Sequence, residues 1–160
     1  MDIADFLAPD DVLADVRAHD KLRLLHELSA RAGAALKLSP DIIEAELFKR
    51  EQLGSTGMGD GVAIPHARLA TLHKPYGLMA RLKKPIDFEA IDGRPVDLVF
   101  LLLLPSGTSG GPLNALACVA RKLREPDVLD ALRNGADGKA LFRAMTESQD
   151  RPSRAKASPA

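Results

Sequence analysis

The chain has 160 residues, 46% of them hydrophobic, and its 22 Lys and Arg are matched by 22 Asp and Glu, so the formal net charge is zero. One domain of this length buries most of its apolar surface in a single core, and balanced charge disfavours non-specific binding to nucleic acid or anionic membrane. Cys118, alone, permits no internal disulfide and suits a reducing compartment, while the longest apolar run, Leu98 to Leu104, is too short to span a bilayer.

Met1 is followed by Asp2 and Asp5 instead of a basic and then apolar leader, so no secretory signal is read and a cytoplasmic protein is expected. Ile3 to Leu7 reads as a short helical turn and Asp11 to Val16 as an edge strand. From Lys21 the residues Leu22, Leu25, Leu28, Ala32 and Leu36 recur at spacings of three and four, which predicts a helix with one buried stripe. Ser39-Pro40 is an N-cap with proline at the first helical position, predicting a second helix to about Gln52 with Ile43 and Leu47 buried. Arg50 falls close to that stripe. Its guanidinium either reaches water over the core, the reading that helical spacing favours, or holds an anion.

The stretch Gly54-Ser-Thr-Gly-Met-Gly-Asp-Gly61 holds four glycines in eight positions and reads as a loop, neither regular helix nor central strand. Val62-Ala63-Ile64 is a short apolar strand that Pro65 stops by removing a ladder donor. His66 therefore stands just beyond a strand end, where an imidazole can serve as nucleophile, base or ligand. Taken singly it is an ordinary loop histidine. The glycines before it weigh against that, because such a loop costs folding entropy and is best explained if its backbone approaches something closely.

Ala67 to Pro75 reads as a connection, Tyr76 to Leu82 as a strand ended by Lys83-Lys84-Pro85, and Ile91 to Arg94 as a turn. Val96 to Leu104 is apolar on both faces and predicts a central strand covered on both sides. Pro105 to Gly111 is a second flexible loop, and Pro112 opens a helix with Leu113, Leu116, Ala120 and Leu123 on one face and an anion-ready N-terminus. Shorter helices follow over Asp127 to Arg133 and Asp137 to Met145. The tail from Asp150 is rich in Ser, Pro, Ala and Arg, so one domain over 1–149 and a disordered tail over 150–160 are expected.

Several familiar motifs fail on context. Gly107-Thr-Ser-Gly-Gly111 matches G-x-S-x-G, but every histidine precedes Ser109, whereas the hydrolase fold with that elbow places its triad histidine afterwards. Gly57-Met-Gly-Asp-Gly61 follows a helix where a dinucleotide loop follows a strand, and it has no P-loop lysine. His66 and His73 lack metal-ligand spacing, Cys118 has no partner cysteine, and no metal site is read.

Arg50-Glu51, the run from Gly54 to His66, Ile86 to Asp92, Pro95-Val-Asp-Leu98 and Leu113-Asn-Ala-Leu116 together resemble the IIA domains of the phosphoenolpyruvate-dependent sugar phosphotransferase system. The branch is the fructose, mannitol and nitrogen-regulatory one, the wording Gly-Ser-Thr-Gly favours its nitrogen-regulatory type, and the likeness covers roughly Phe6 to Met145. This resemblance implies an α/β fold, a three-layer α/β/α sandwich on a mixed central sheet. It implies that His66 takes a phosphoryl group from the phosphohistidine of an HPr-like carrier and that its phosphorylation state regulates target proteins. Arg50 would neutralise the phosphoryl oxygens, and N–H groups of Gly57, Gly59, Asp60 and Gly61 would complete a cradle. No cofactor, metal, nucleic acid or membrane insertion is implied. Family members commonly carry a second active-site histidine where this chain has Pro112, and Thr108, Ser109 and the helix N-terminus are the groups available in its place. The rival readings are a regulatory binding module that keeps the fold without transfer, and a hydrolase using Ser109.

Overall fold

Strand β6, Val96–Pro105, explains the architecture by its own alternation. In the computed structural model, which describes residues 1–107 and 111–147, Leu98, Phe100, Leu102 and Leu104 enter one apolar cluster, and Val99, Leu101 and Leu103 enter a second on the opposite face of the sheet. A strand buried on both faces has no polar phase, which is why its sequence is a continuous apolar run.

The first cluster is closed by helices α3 (Gly111–Lys122), α4 (Pro126–Asn134) and α5 (Gly138–Thr146), the second by α1 (Lys21–Leu36) and α2 (Pro40–Gln52). The result is the expected α/β/α sandwich. The sheet runs β1 (Val12–Val16), β5 (Tyr76–Ile86), β6, β3 (Val62–Ala63), β2 (Gly57–Gly59), with β4 (His66–Leu69) also on β6. It is mixed: β5 pairs with β6 antiparallel, while β1 on β5 and β3 and β4 on β6 are parallel. The outer edge of β1 is blunted by a break in register between Leu13 and Val16, with Asp15 at φ 57, as natural sheets commonly protect an edge.

The early turn (Ile3–Asp5), the edge strand and both first helices fall where the sequence places them. The buried stripe of α1 is rotated, however: Leu24, Leu25, Leu28 and Ala32 are buried and Leu22 is 55% exposed. Leu22 lies six residues before Leu28, about 120° around the helix from it, so matching spacings to Leu25 alone misassigned the face. Among the described side chains of α3 the buried residues are Ala115 and Val119, continued by Leu123, with Leu116 and Ala120 half-buried at the rim; the Leu113 side chain lies outside the described residues.

Three further expectations are corrected. The glycine stretch contains the short edge strand β2, paired antiparallel with β3. The supposed connection after His66 begins with β4, whose Ala67 and Leu69 are buried and whose Arg68 is exposed, an alternation too short to stand out in sequence. Strand β5 continues through Lys83-Lys84-Pro85 to Ile86, because the ladder to β6 is already irregular between Arg81 and Ile86 and a proline there costs no regular bond. Thr108, Ser109 and the tail over 150–160 lie outside the described residues. None of the helices among the described residues is long and apolar enough to cross a membrane.

Gly77 on β5 shows how tightly the first cluster is packed. A Cβ there would lie 2.7 Å from Phe100 Cζ, and Phe100 is fully buried with its ring edge-on to Phe6 at 6.3 Å. Gly→Ala gains about 0.4–1 kcal/mol by restricting the unfolded chain, but overpacking a core costs about 1–3 kcal/mol. Gly77→Ala is therefore expected to be net destabilising, read as a lower urea midpoint at unchanged m-value.

Candidate functional site

Strands β3 and β4 run one after the other along the same side of β6, Val62 opposite Leu98 and His66 opposite Leu102. Pro65 separates them. Having no N–H it cannot extend the ladder as a donor, although its carbonyl accepts from Leu102 N at 2.9 Å. At this break the Ile64 carbonyl is free to meet a side chain, and His66 Nδ1 lies 2.8 Å from it.

That contact assigns the tautomer. A carbonyl only accepts, so Nδ1 carries the proton and donates, and Nε2 keeps its lone pair. His66 is half-buried, and burial pushes its pKa below the ordinary 6.5. The Ile64 carbonyl and the Glu51 carboxylate act the other way, while the charges of Arg50 and Arg68 reinforce the lowering. The net result is a neutral imidazole with one available nitrogen at neutral pH.

Around His66 is an open cleft of about 430 Å³ lined by Glu46, Lys49, Arg50 and Leu53 from the end of α2, by Arg68 from β4, and by Leu104 and Leu116. Arg50 is in the last turn of α2 and its Nη1 donates to Gly54 O at 2.9 Å. One side of the guanidinium is thereby anchored to the turn that follows the helix, which leaves other donors of its fork for the cleft. Arg68 lies two residues beyond His66 on the same strand, so both side chains leave the same face while Ala67 and Leu69 enter the core. The sequence reading missed Arg68. Its signal in the sequence is the alternation of His66 and Arg68 with Ala67 and Leu69, which a connection over Ala67 to Pro75 does not bring out.

Arg50 and His66 thus meet in one cleft, but the glycine residues do not join them. The Gly61 carbonyl accepts from Asp97 N and Leu98 N, whereas His66 sits opposite Leu102. Four residues along a strand is about 13 Å. The hairpin tip of Gly59, Asp60 and Gly61 is at the other end of β6, and the N–H of Gly57 is already bonded to Ser55 Oγ at 3.0 Å. What these backbones approach is protein: a Cβ on Gly57 would lie 2.8 Å from Ala90 Cβ, and Gly61, at φ 78, lies beneath the Arg133–Asp97 pair. Asp60 donates its N–H to Asp92 Oδ2 and receives Arg94 at 3.3 Å. The close-approach argument for the glycines is satisfied by packing, so they do not form the expected cradle. Among the described residues no group of His, Cys, Asp and Glu is arranged to hold a metal ion.

Residues 5–148 match the family model described as "Phosphoenolpyruvate-dependent sugar phosphotransferase system, EIIA 2". A nitrogen regulatory protein of Bradyrhizobium diazoefficiens is 44% identical over 145 residues, covering 91% of this chain and 95% of that relative. The crystal structure of nitrogen regulatory protein IIA-Ntr from Neisseria meningitidis superposes with a TM-score of 0.85 at 33% identity, covering 90% of this chain and 99% of the other. The Escherichia coli complex of enzyme IIAMTL with phosphorylated enzyme IIBMTL contains the same fold, with a TM-score of 0.73 at 12% identity and coverage of 86% and 95%.

Proposed function

The chain belongs to the phosphoenolpyruvate-dependent sugar phosphotransferase system EIIA 2 family, among its nitrogen-regulatory members, and from that premise we propose that it is a phosphocarrier whose phosphoryl acceptor is His66 Nε2. The observation carrying this reading is the imidazole fixed through Nδ1 to the Ile64 carbonyl, with Nε2 open to a cleft that also holds Arg50 and Arg68. The donor is the phosphohistidine of an HPr-like protein. The Nε2 lone pair forms the new N–P bond as the donor's P–N bond breaks and its ring keeps the electron pair. Positive charge leaves the donor ring and develops on His66, where the Nδ1–H bond to Ile64 strengthens. No base or metal enters the balance.

Phosphoryl transfer is mainly a matter of alignment and charge stabilisation. Arg50 and Arg68 supply the charge, and the exposed Leu53 beside them gives a docking protein apolar contact. The IIAMTL complex with phosphorylated IIBMTL is a precedent in this fold for docking against a phosphorylated partner. Phosphorylation places a dianion among Lys49, Arg50 and Arg68, and target proteins that read this face would respond to that charge reversal. The cytoplasm, where such carriers work, is the proposed location.

The test is incubation of the full chain with phosphoenolpyruvate, the system's first enzyme and an HPr-like carrier, followed by mass spectrometry under conditions that preserve phosphoramidates. One acid-labile phosphoryl group is expected, with a phosphorus NMR shift diagnostic of Nε2 linkage. Absence of modification with an active carrier would favour the binding module, the reading that Pro112 supports.

A pH profile adds a second check. Because the folded imidazole lies below 6.5, the acceptance rate should stay level through neutrality and fall only at more acid pH than a free histidine would dictate. For stability, the unfolded chain binds the proton first as pH falls below 6.5. The His66 contribution is undiminished above 6.5, declines between 6.5 and the lower folded value, and levels off below it. His66→Ala should remove that part of the stability profile in urea titrations.

A further inference from the structure

The hydrogen bonds that fix the His66 tautomer do not stop at Ile64. Ile64 N donates to the Thr56 carbonyl at 3.1 Å. Thr56, buried, is held by one carboxylate at two points: its N–H donates to Glu51 Oε2 at 2.8 Å and its hydroxyl to Glu51 Oε1 at 2.6 Å. The Glu51 side chain, 4% exposed, takes its third partner from α1, Lys21 Nζ at 3.0 Å, and that ammonium lies 4.8 Å from the centroid of the Phe88 ring. The turn between Glu51 and Thr56 also presents the Gly54 carbonyl that anchors Arg50.

We propose that Glu51 is the positioning residue of the site, acting through Thr56 and Ile64 on His66 and through the Gly54 turn on Arg50. The assignment rests on His66 being the phosphoryl acceptor. A buried carboxylate persists only where it is paired and hydrogen-bonded, and a buried ion pair offers little net stability over apolar packing. Three donors converging on one carboxylate do, however, select one conformation of the Gly54–Thr56 turn. Glu51 neighbours Arg50 in the sequence yet points inward where Arg50 points to the cleft, so one helical turn supplies both the anion-binding group and the group that holds it in place.

The experiment uses the full chain labelled with nitrogen-15. Long-range proton–nitrogen spectra of wild type should show His66 with a protonated Nδ1 and a bare Nε2. Thr56→Val keeps the side-chain shape and the backbone donor but removes the hydroxyl; Thr56→Ser keeps the hydroxyl. Thr56→Val is expected to mix the two tautomers and slow phosphoryl acceptance from the carrier roughly tenfold, because small misplacements of a reacting group carry such costs. Thr56→Ser should restore both readouts, and Glu51→Gln should exceed Thr56→Val in the same direction. If Thr56→Val lowers the unfolding midpoint but leaves tautomer and rate unchanged, the network is structural only and the proposal is overturned; Thr56→Val decides even if Glu51→Gln fails to fold. A wild-type chain that accepts no phosphoryl group would overturn the carrier reading alone, since the tautomer spectrum needs no donor.

Discussion

His66→Ala is expected to reduce phosphoryl acceptance to background while the chain stays folded. Among the described residues of the cleft, His66 is the one group with an uncharged nitrogen lone pair held outward; Lys49, Arg50 and Arg68 are cations, and Glu46 is an acid whose acyl phosphate would be a different and far more labile product. Loss of the nucleophile removes the reaction itself, whereas loss of a supporting group leaves a residual rate. The side chain is at the rim and half-buried, so its removal leaves the two core clusters intact. Incorporation of labelled phosphate from phosphoenolpyruvate through the carrier, followed alongside the thermal unfolding midpoint, measures both. Full labelling of His66→Ala would mean that another residue is the acceptor.

Arg50→Ala is expected to slow acceptance by about 10²–10³-fold, the range for removing a preorganised group that stabilises developing charge. A competing effect runs the other way. Arg50 lowers the pKa of His66, so its removal makes the imidazole more basic and slightly more nucleophilic. That gain is small beside the lost stabilisation of phosphoryl oxygens, because a neutral imidazole already predominates at neutral pH. Arg50→Lys separates charge from geometry: it keeps the cation but loses the planar fork that holds Gly54 O and an anion together. It should recover part of the rate, to within roughly tenfold of wild type. Single-turnover transfer from phosphorylated carrier at saturating concentration distinguishes the rate loss from weaker docking. Equal rates for Arg50→Ala and wild type would leave Arg50 as a helix-terminal side chain covering the core, the reading that spacing alone favours.

His66 and the glycine tip adjoin in the chain yet lie apart along β6. The family resemblance implies one anion cradle built from both. The antiparallel turn from β2 to β3, however, sends the tip to the Asp97 end of β6, and β4 carries His66 on to Leu102. Proximity in sequence became separation along a strand. Arg50 and His66, sixteen residues apart, instead share the cleft because α2 packs over β4.

What the sequence determined by itself was everything written in local periodicity and in side-chain chemistry. The apolar run of β6, the Ser39-Pro40 helix start, the strand stop at Pro65 and the imidazole after it depend on a few neighbouring residues and were readable there. The tertiary structure alone decided the rotation of α1, the short strand β4 and with it Arg68, the tautomer of His66 and the burial of Glu51. Each of these is set by a partner distant in the chain: a neighbouring strand, a freed carbonyl, an ammonium from another helix. Such contacts leave little local pattern, because a hydrogen-bond donor or a charge is the same residue in the sequence whether it faces water or a buried partner.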